Sequence, residues 1–259
     1  MTLATRFMQA NQNPSHYCEY VGETEAAIAE GLADVTVIDT PTVLAGLEQY
    51  AVGSVWTAEV WGPYLRKAAT LDQVMPMLTA QLTQRPAQLC FFYTAADQAL
   101  SAWLAAHHAT RTQETIWRLT PIAGGAGVRQ LEALTPAVQA LHHQFWRGQL
   151  PPVDATHWCF VAIRDGRLAG YAYAEVDGEV GRLDFVAVAP TARHAGLATS
   201  LIAAVWAAMV AYGRSTVFLV QSERAVAAGR LYAKLGFEPV RTLIADTLWV
   251  PLDDQKARC

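Results

Sequence analysis

The sequence predicts an α/β chain: a mixed sheet, with parallel and antiparallel strand pairs, covered by helices. Three observations lead there. "WCFVAI" (158–163) and "RLAGYAYAEV" (167–176) are apolar runs joined by "RDG", a tight-hairpin signal at Asp165-Gly166. The strand-like "RLDFVAVA" is stopped by Pro190, and a long helix carrying the apolar stretch "LIAAVWAAMVAY" (201–212) follows. "STVFLVQ" (215–221) then reads as a buried strand set between two helices, the second being "AVAAGRLYAKLG", ended by Gly236.

In chain order, the C-terminal half begins with "ETIWRLTP" (114–121), which alternates like a strand. "GGAG" (124–127) breaks the chain. "VRQLEALTPAVQALHHQFWRG" has helical apolar spacing, with Gly148 as its end signal. "LPPVDATH" is a loop, followed by the hairpin above and a second turn at "DGEVG" (177–181). A third strand, a helix opening after Arg193, the buried strand and the second helix follow. "FEPVRTLI" and "DTLWVPL" close as two strands. The expected order is strand, helix, three strands, helix, strand, helix, two strands.

The first ~110 residues are less regular. "ADVTVIDTP", "SVWTAEVWGPYL" and "AQLCFFYT" read as strands, "LDQVMPMLTAQLTQ" and "ADQALSAWLAAHHA" as helices. From about 52 to 119 their alternation echoes the order from 182 to 250, with no shared motif, so duplication rests here on element order alone.

Composition narrows the function classes. The chain has 259 residues, 53% hydrophobic and 16% charged, enough for one large domain or two small ones. A net charge of -4 gives no basic excess for nucleic acid or an anionic membrane. Cys18, Cys90, Cys159 and Cys259 are widely spaced, which argues against a disulfide framework or zinc site. The pairs His107-His108 and His142-His143 are adjacent, so on a helix neither presents two ligands on one face, and no metal is expected. "MTLATRFMQANQNPSHY" lacks the apolar region of a signal peptide, and the longest apolar run is shorter than the ~20 residues of a membrane span. These features predict a soluble, cytoplasmic protein.

The stretch "RHAGLA" carries the chemistry. N–H groups at a helix start lack internal partners, and the helix dipole favours an anion there. Gly196 lets a ligand approach the backbone, and Ala198 is nearly as permissive. Arg193 adds a fixed charge and a planar donor fork; Thr199 and Ser200 add hydroxyls. Between a strand and a helix, this makes a pyrophosphate cradle. On residues alone, Gly196 serves equally as a point of close helix–strand packing.

"FVAVAPTARHAGLATSLIAAVWAAM" followed by "TVFLVQSERAVAAGRLYAKLGFEPV" resembles the GCN5-related N-acetyltransferase (GNAT) superfamily, over roughly residues 114–250. The shared features are "V-A-P" at 188–190, R-x-x-G-x-A at 193–198, a long helix, a strand and "LYAKLGF" at 231–237. The resemblance implies the acyl-CoA N-acyltransferase fold and acetyl-CoA as cofactor. It implies a strand, Phe185 to Val188, that splays from its neighbour so that the backbone of Val186, Ala187 and Val188 meets the pantetheine arm. It places the pyrophosphate on Arg193, His194, Ala195, Gly196, Leu197, Ala198 and Thr199. It makes Tyr232 the donor of a proton to the leaving thiolate. The family often has an Asn where this chain has Ala225, which leaves one cofactor contact open to Ser222 or Glu223.

No motif fixes the base. Glu175, Glu179 and Asp184 lie on or between the central strands. Regular alternation puts Asp184 with Arg182 and Val186 on one face, Leu183 and Phe185 on the other. Asp184 is the catalytic candidate; Glu175 and Glu179 equally flank a solvated turn. Trp146, Trp158, Tyr171 and Tyr173 either line an acceptor pocket or fill the core.

In the N-terminal half, "AEVWGPYL" with "LCFFYTAADQALSAWLAAHHA" resembles a degenerate copy of the same fold. The position of the phosphate turn holds "GPYLRKAATL", without the glycine pattern and with Pro63 in place of a donor. The expectation is a tandem: residues 1–112 noncatalytic and residues 113–259 the acetyltransferase. A helical extension is the other reading of the first half. The expected reaction transfers acetyl from acetyl-CoA to a primary amine of a small molecule or peptide. A CoA-binding sensor without turnover is the alternative.

Overall fold

The computed structural model describes residues 1–251, apart from residues 23, 53 and 147 and the side chain of Tyr20. Cys259 and Leu252, the last residue of the expected closing strand, lie outside that range.

In chain order the elements are α1 (Leu3–Asn11), α2 (Glu25–Gly31), β1 (Val35–Asp39), β2 (Val43–Val52), β3 (Val55–Leu65), α3 (Leu71–Ala80), β4 (Ala87–Tyr93), α4 (Gln98–Ala106) and β5 (Thr110–Arg118). They continue with β6 (Val128–Leu131), α5 (Pro136–His142), β7 (His157–Arg164), β8 (Arg167–Asp177), β9 (Val180–Val188), α6 (Leu197–Ala211), β10 (Val217–Ser222), α7 (Val226–Lys234) and β11 (Glu238–Val250). The chain divides into two compact units: residues 1–114 with 242–259, and residues 115–241.

The first unit orders its strands β1-β2-β3-β4-β11. Ile244–Val250 of β11 pairs antiparallel with β4, while β3 and β4 pair in parallel over Trp56–Glu59 and Ala87–Cys90. Leu89, Phe91 and Tyr93 of β4 pack with Val74, Leu78, Leu100 and Leu104 of the helices. Three elements have no counterpart in the sequence reading: α1, α2 and β2. The two helices are short, and Gly46 interrupts the β-branched and aromatic pattern of β2.

Glu114 is a costly residue here. Burial, reinforced by the nearby Glu59 and Glu19 carboxylates, pushes its carboxyl up to about 7. Its Oε2 is enclosed without a hydrogen-bond partner. A folded-state value above the ordinary one means that stability is full at low pH and lost as pH rises through about 7. Glu114→Gln should match the wild type near pH 4.5 and exceed it at pH 8 by up to about 3 kcal/mol. Urea midpoints at the two pH values measure this.

The second unit orders its strands β5-β10-β9-β8-β7-β6. The β7–β8 hairpin turns at Asp165-Gly166 as expected. α6 lies on one face through Leu201, Ile202, Val205 and Met209, packed with Phe160, Ala172, Ala174, Leu183 and Leu219. The other face holds Val138 and Leu141 of α5 against Val161, Tyr171, Tyr173 and Ala187.

Two expectations for the C-terminal half fail. Residues 128–148 are not one helix. Val128–Leu131 is an edge strand on β7, and the helix begins only at Pro136, with Thr135 as its N-cap. Thr-Pro is itself a helix-start signal, and the apolar residues upstream of it belong to β6 and the loop that follows. The two closing strands are one long strand, β11.

Among the described residues, no helix is long and apolar enough to cross a membrane. Cys18, Cys90 and Cys159 are free thiols.

Candidate active site

The turn between β9 and α6 has an unusual backbone. A 3-10 turn over Pro190–Ala192 follows the strand, then His194 (φ 61°) and Gly196 (φ 75°) enter the left-handed region. Gly196 is the N-cap of α6 and offers no side-chain cap; no acidic residue stands in the first turn. The first amides of α6 therefore keep their donor capacity, and only Ser200 N–H closes back onto the Gly196 carbonyl, at 3.0 Å. A Cβ on Gly196 would meet nothing within 4 Å. Gly196 thus faces open space rather than a packed strand, which removes the close-packing explanation. Arg193 stands exposed beside the turn. Its Nε donates to the Val188 carbonyl at 3.4 Å, and its guanidinium lies 5.6 Å from the centre of the Phe145 ring.

β9 reaches this turn as a half-detached strand. It pairs with β8 as far as Val188–Gly170. It pairs with β10 only at Gly181–Val217 and Arg182–Phe218. From Leu183 to Val188 one edge of β9 therefore has no strand pairing among the described residues, which leaves backbone donors and acceptors available.

A bulge shifts the side chains of this segment. Tyr173 pairs with Phe185 but Ala174 with Leu183, so Asp184 is the extra residue. This corrects the regular alternation expected from sequence. Leu183 and Val186 share the α6 face, while Phe185 and Ala187 turn to the α5 face. Val188 joins the α6 side.

The α5 face is aromatic. Trp146 stacks on His142 (centroids 5.3 Å) and meets Phe185 edge-on (5.1 Å). His142 is 2% exposed and shares a hydrogen 2.6 Å from the Tyr171 hydroxyl, through Nδ1. Burial lowers the His142 pKa and raises that of Tyr171, so both stay neutral near pH 7. Tyr173 donates to the Pro151 carbonyl at 2.9 Å. Trp158 lies instead on the α6 side, edge-on to Tyr212 at 5.1 Å. Of the four aromatic candidates, three share this face and one does not. Phe145, Phe185 and His142 join them unforeseen: their signal was periodicity on β9 and α5, hidden by the bulge and by the misplaced helix start.

Beside the bulge, Arg182 gathers carboxylates: Asp184 at 3.2 Å, Asp177 at 3.4 Å and Glu175 at 3.5 Å. Burial raises the Glu175 pKa, and Arg182 partly offsets this. Glu179 is solvated, 4.0 Å from Arg214.

The model of the acetyltransferase (GNAT) domain matches residues 155–239. These residues carry the GNAT domain signature. No curated protein matches the chain in sequence. Among solved structures, a tandem GNAT protein from the clavulanic acid biosynthesis pathway is 16% identical, with 97% of this chain and 96% of that one covered at a TM-score of 0.64. A GCN5-related N-acetyltransferase from Sphaerobacter thermophilus is 13% identical over 97% and 93% of the two chains, at 0.62. One from Kribbella flavida is 16% identical over 99% of both, at 0.56. These likenesses span both units, so the N-terminal unit is GNAT-like by fold.

Within the GNAT domain, Tyr232 sits on α7 at 5% exposure. Gly236 ends the helix and folds Phe237 back, its N–H donating to the Tyr232 carbonyl at 3.1 Å. The two rings stack at 5.9 Å, and Trp117 approaches edge-on at 6.2 Å. Burial pushes the Tyr232 hydroxyl up to about 12. Ala225 is the N-cap of α7 and contributes no side-chain cap.

The GNAT-like N-terminal unit differs at the matching turn. Pro63 lies inside β3, not in the turn, so its missing N–H belongs to the strand. That corrects the argument from Pro63. The start of α3 is closed instead by a capping box between Thr70 and Gln73, with Thr70 N–H donating to Gln73 Oε1 at 3.1 Å, and Asp72 adds a negative charge to the first turn. Side chains of the chain itself occupy the anion position there.

Proposed function

We propose that the GNAT domain transfers the acetyl group of acetyl-CoA to a primary amine of a small molecule or peptide, by direct attack in a ternary complex. The observation that carries this reading is the open edge of β9 running into an uncapped helix start. Acetyl-CoA supplies the activated thioester. The turn from Arg193 through His194, Ala195, Gly196, Leu197 and Ala198 to Thr199 holds the pyrophosphate with backbone amides and one guanidinium. The free edge formed by Val186, Ala187 and Val188 bonds the pantetheine amides and aligns the thioester. Its amides also stabilise negative charge developing on the thioester oxygen.

Tyr232 donates the proton that the leaving thiolate takes up. Asp184, on the bulge and hydrogen-bonded by Arg182, attracts the acceptor amine beside the detached strand and takes, directly or through water, the proton that the amine loses as its nitrogen bonds the acetyl carbon. The aromatic α5 face favours an acceptor with an apolar body. The capped start of α3 supports a noncatalytic first unit. The absence of a membrane-spanning helix among the described residues is compatible with a cytoplasmic site of action.

Two measurements test this. Calorimetry should find one acetyl-CoA site per chain. Thiol release with alkyl, arylalkyl and amino-acid amines, followed by product mass, should show a gain of one acetyl group. Binding with no thiol release from any amine would favour the sensor reading, to which the uncapped Ala225 lends support. A larger mass gain would identify a longer acyl group.

A further inference from the structure

Gln221 lies on β10, beyond the point where that strand parts from β9. Its side chain turns back under α7 instead of into solvent. Gln221 Oε1 accepts from the Trp117 indole N–H at 3.3 Å. Its Nε2 donates to the Ser222 carbonyl and to the Ala225 carbonyl, the latter at 3.5 Å. The amide orientation is dictated by its partners: an indole N–H only donates and a carbonyl only accepts, so the oxygen must face Trp117. α7 makes room for the group. A Cβ on Gly229 would stand 3.0 Å from Gln221 Oε1. Trp117, in turn, meets the Tyr232 ring edge-on.

One amide therefore ties three parts of the site: β5 through the Trp117 indole, the end of β10 through the Ser222 carbonyl, and the start of α7 through the Ala225 carbonyl, with Gly229 leaving room for it. The loop between β10 and α7 needs such a tie because Ala225 cannot cap the helix. We propose that Gln221 is the positioning residue for Tyr232, holding Trp117 with its carbonyl and the start of α7 with its amide. The role rests on Tyr232 acting as the proton donor.

A double-mutant cycle tests it, with kcat from thiol release at saturating acetyl-CoA and the fastest amine of the panel above. Gln221→Glu keeps the acceptor for Trp117 but sets an oxygen against two carbonyl oxygens. Trp117→Phe removes the indole donor and keeps a ring. Each should lower kcat about tenfold while the acetyl-CoA Kd stays within about twofold, and neither should lower it further by more than about twofold in a Tyr232→Phe background. Thermal midpoints identify a variant that fails to fold, in which case the other carries the test. If both variants keep wild-type kcat while Tyr232→Phe is slow, the positioning role is overturned and the proton-donor reading survives. Losses that multiply with Tyr232→Phe also overturn it, since a general structural defect behaves so. Normal turnover by Tyr232→Phe, or none by the wild type, overturns both.

Discussion

Gly196→Glu is expected to weaken coenzyme A binding by about three orders of magnitude while the GNAT domain stays folded. The residue has φ 75°, where a Cβ costs ~1–2 kcal/mol, but that Cβ would collide with nothing. The carboxylate would stand at the position proposed for the pyrophosphate. Two like charges 4 Å apart repel by about 4 kcal/mol at an effective dielectric of 20, equivalent to ~10³ in affinity. Gly196→Ala adds a Cβ where the pyrophosphate would approach the backbone, without the charge, and should lose roughly tenfold. The ordering Gly, Ala, Glu in calorimetric Kd, with far-UV circular dichroism unchanged, is the expected result. Wild-type affinity in the Glu variant would place the cofactor elsewhere.

Tyr232→Phe should lower kcat by about 10²-fold, within the usual range for loss of a general acid, with acetyl-CoA affinity nearly unchanged. The substitution deletes one oxygen and leaves the contacts with Phe237 and Trp117 in place. The pH dependence is distinctive. Because burial pushes the hydroxyl up to about 12, it stays protonated throughout the neutral and mildly alkaline range. The wild-type rate should therefore show no alkaline fall from this group until near that value. An unchanged kcat in the Phe variant would remove Tyr232 from the chemistry.

Much of the GNAT domain was legible because its signals are local. The Asp165-Gly166 hairpin, the strand ending before Pro190 and the helix ended by Gly236 each depend on a few neighbouring residues. The edge strand β6 was not legible. Val128–Leu131 alternates too weakly to declare itself, and only its pairing with Cys159–Ala162 makes it a strand. β11 was split in two at Ala245 because a charged residue, Asp246, follows inside an otherwise apolar stretch. Asp246 is buried there by Tyr93 and Arg111, partners far back in the chain.

The candidate site divides in the same way. By itself the sequence determined the turn: left-handed backbone at Gly196 and a helix start without a capping side chain are properties of adjacent residues. It also determined the helix that brings Phe237 back onto Tyr232. Only the tertiary structure decided that Asp184 is a bulge, that β9 parts from β10 after two pairs, and that Gln221 reaches Trp117. The physical reason is that register and side-chain hydrogen bonds are set jointly by strands distant in sequence. A one-residue slip in pairing turns the following side chains to the opposite face, and nothing within β9 announces where that slip occurs.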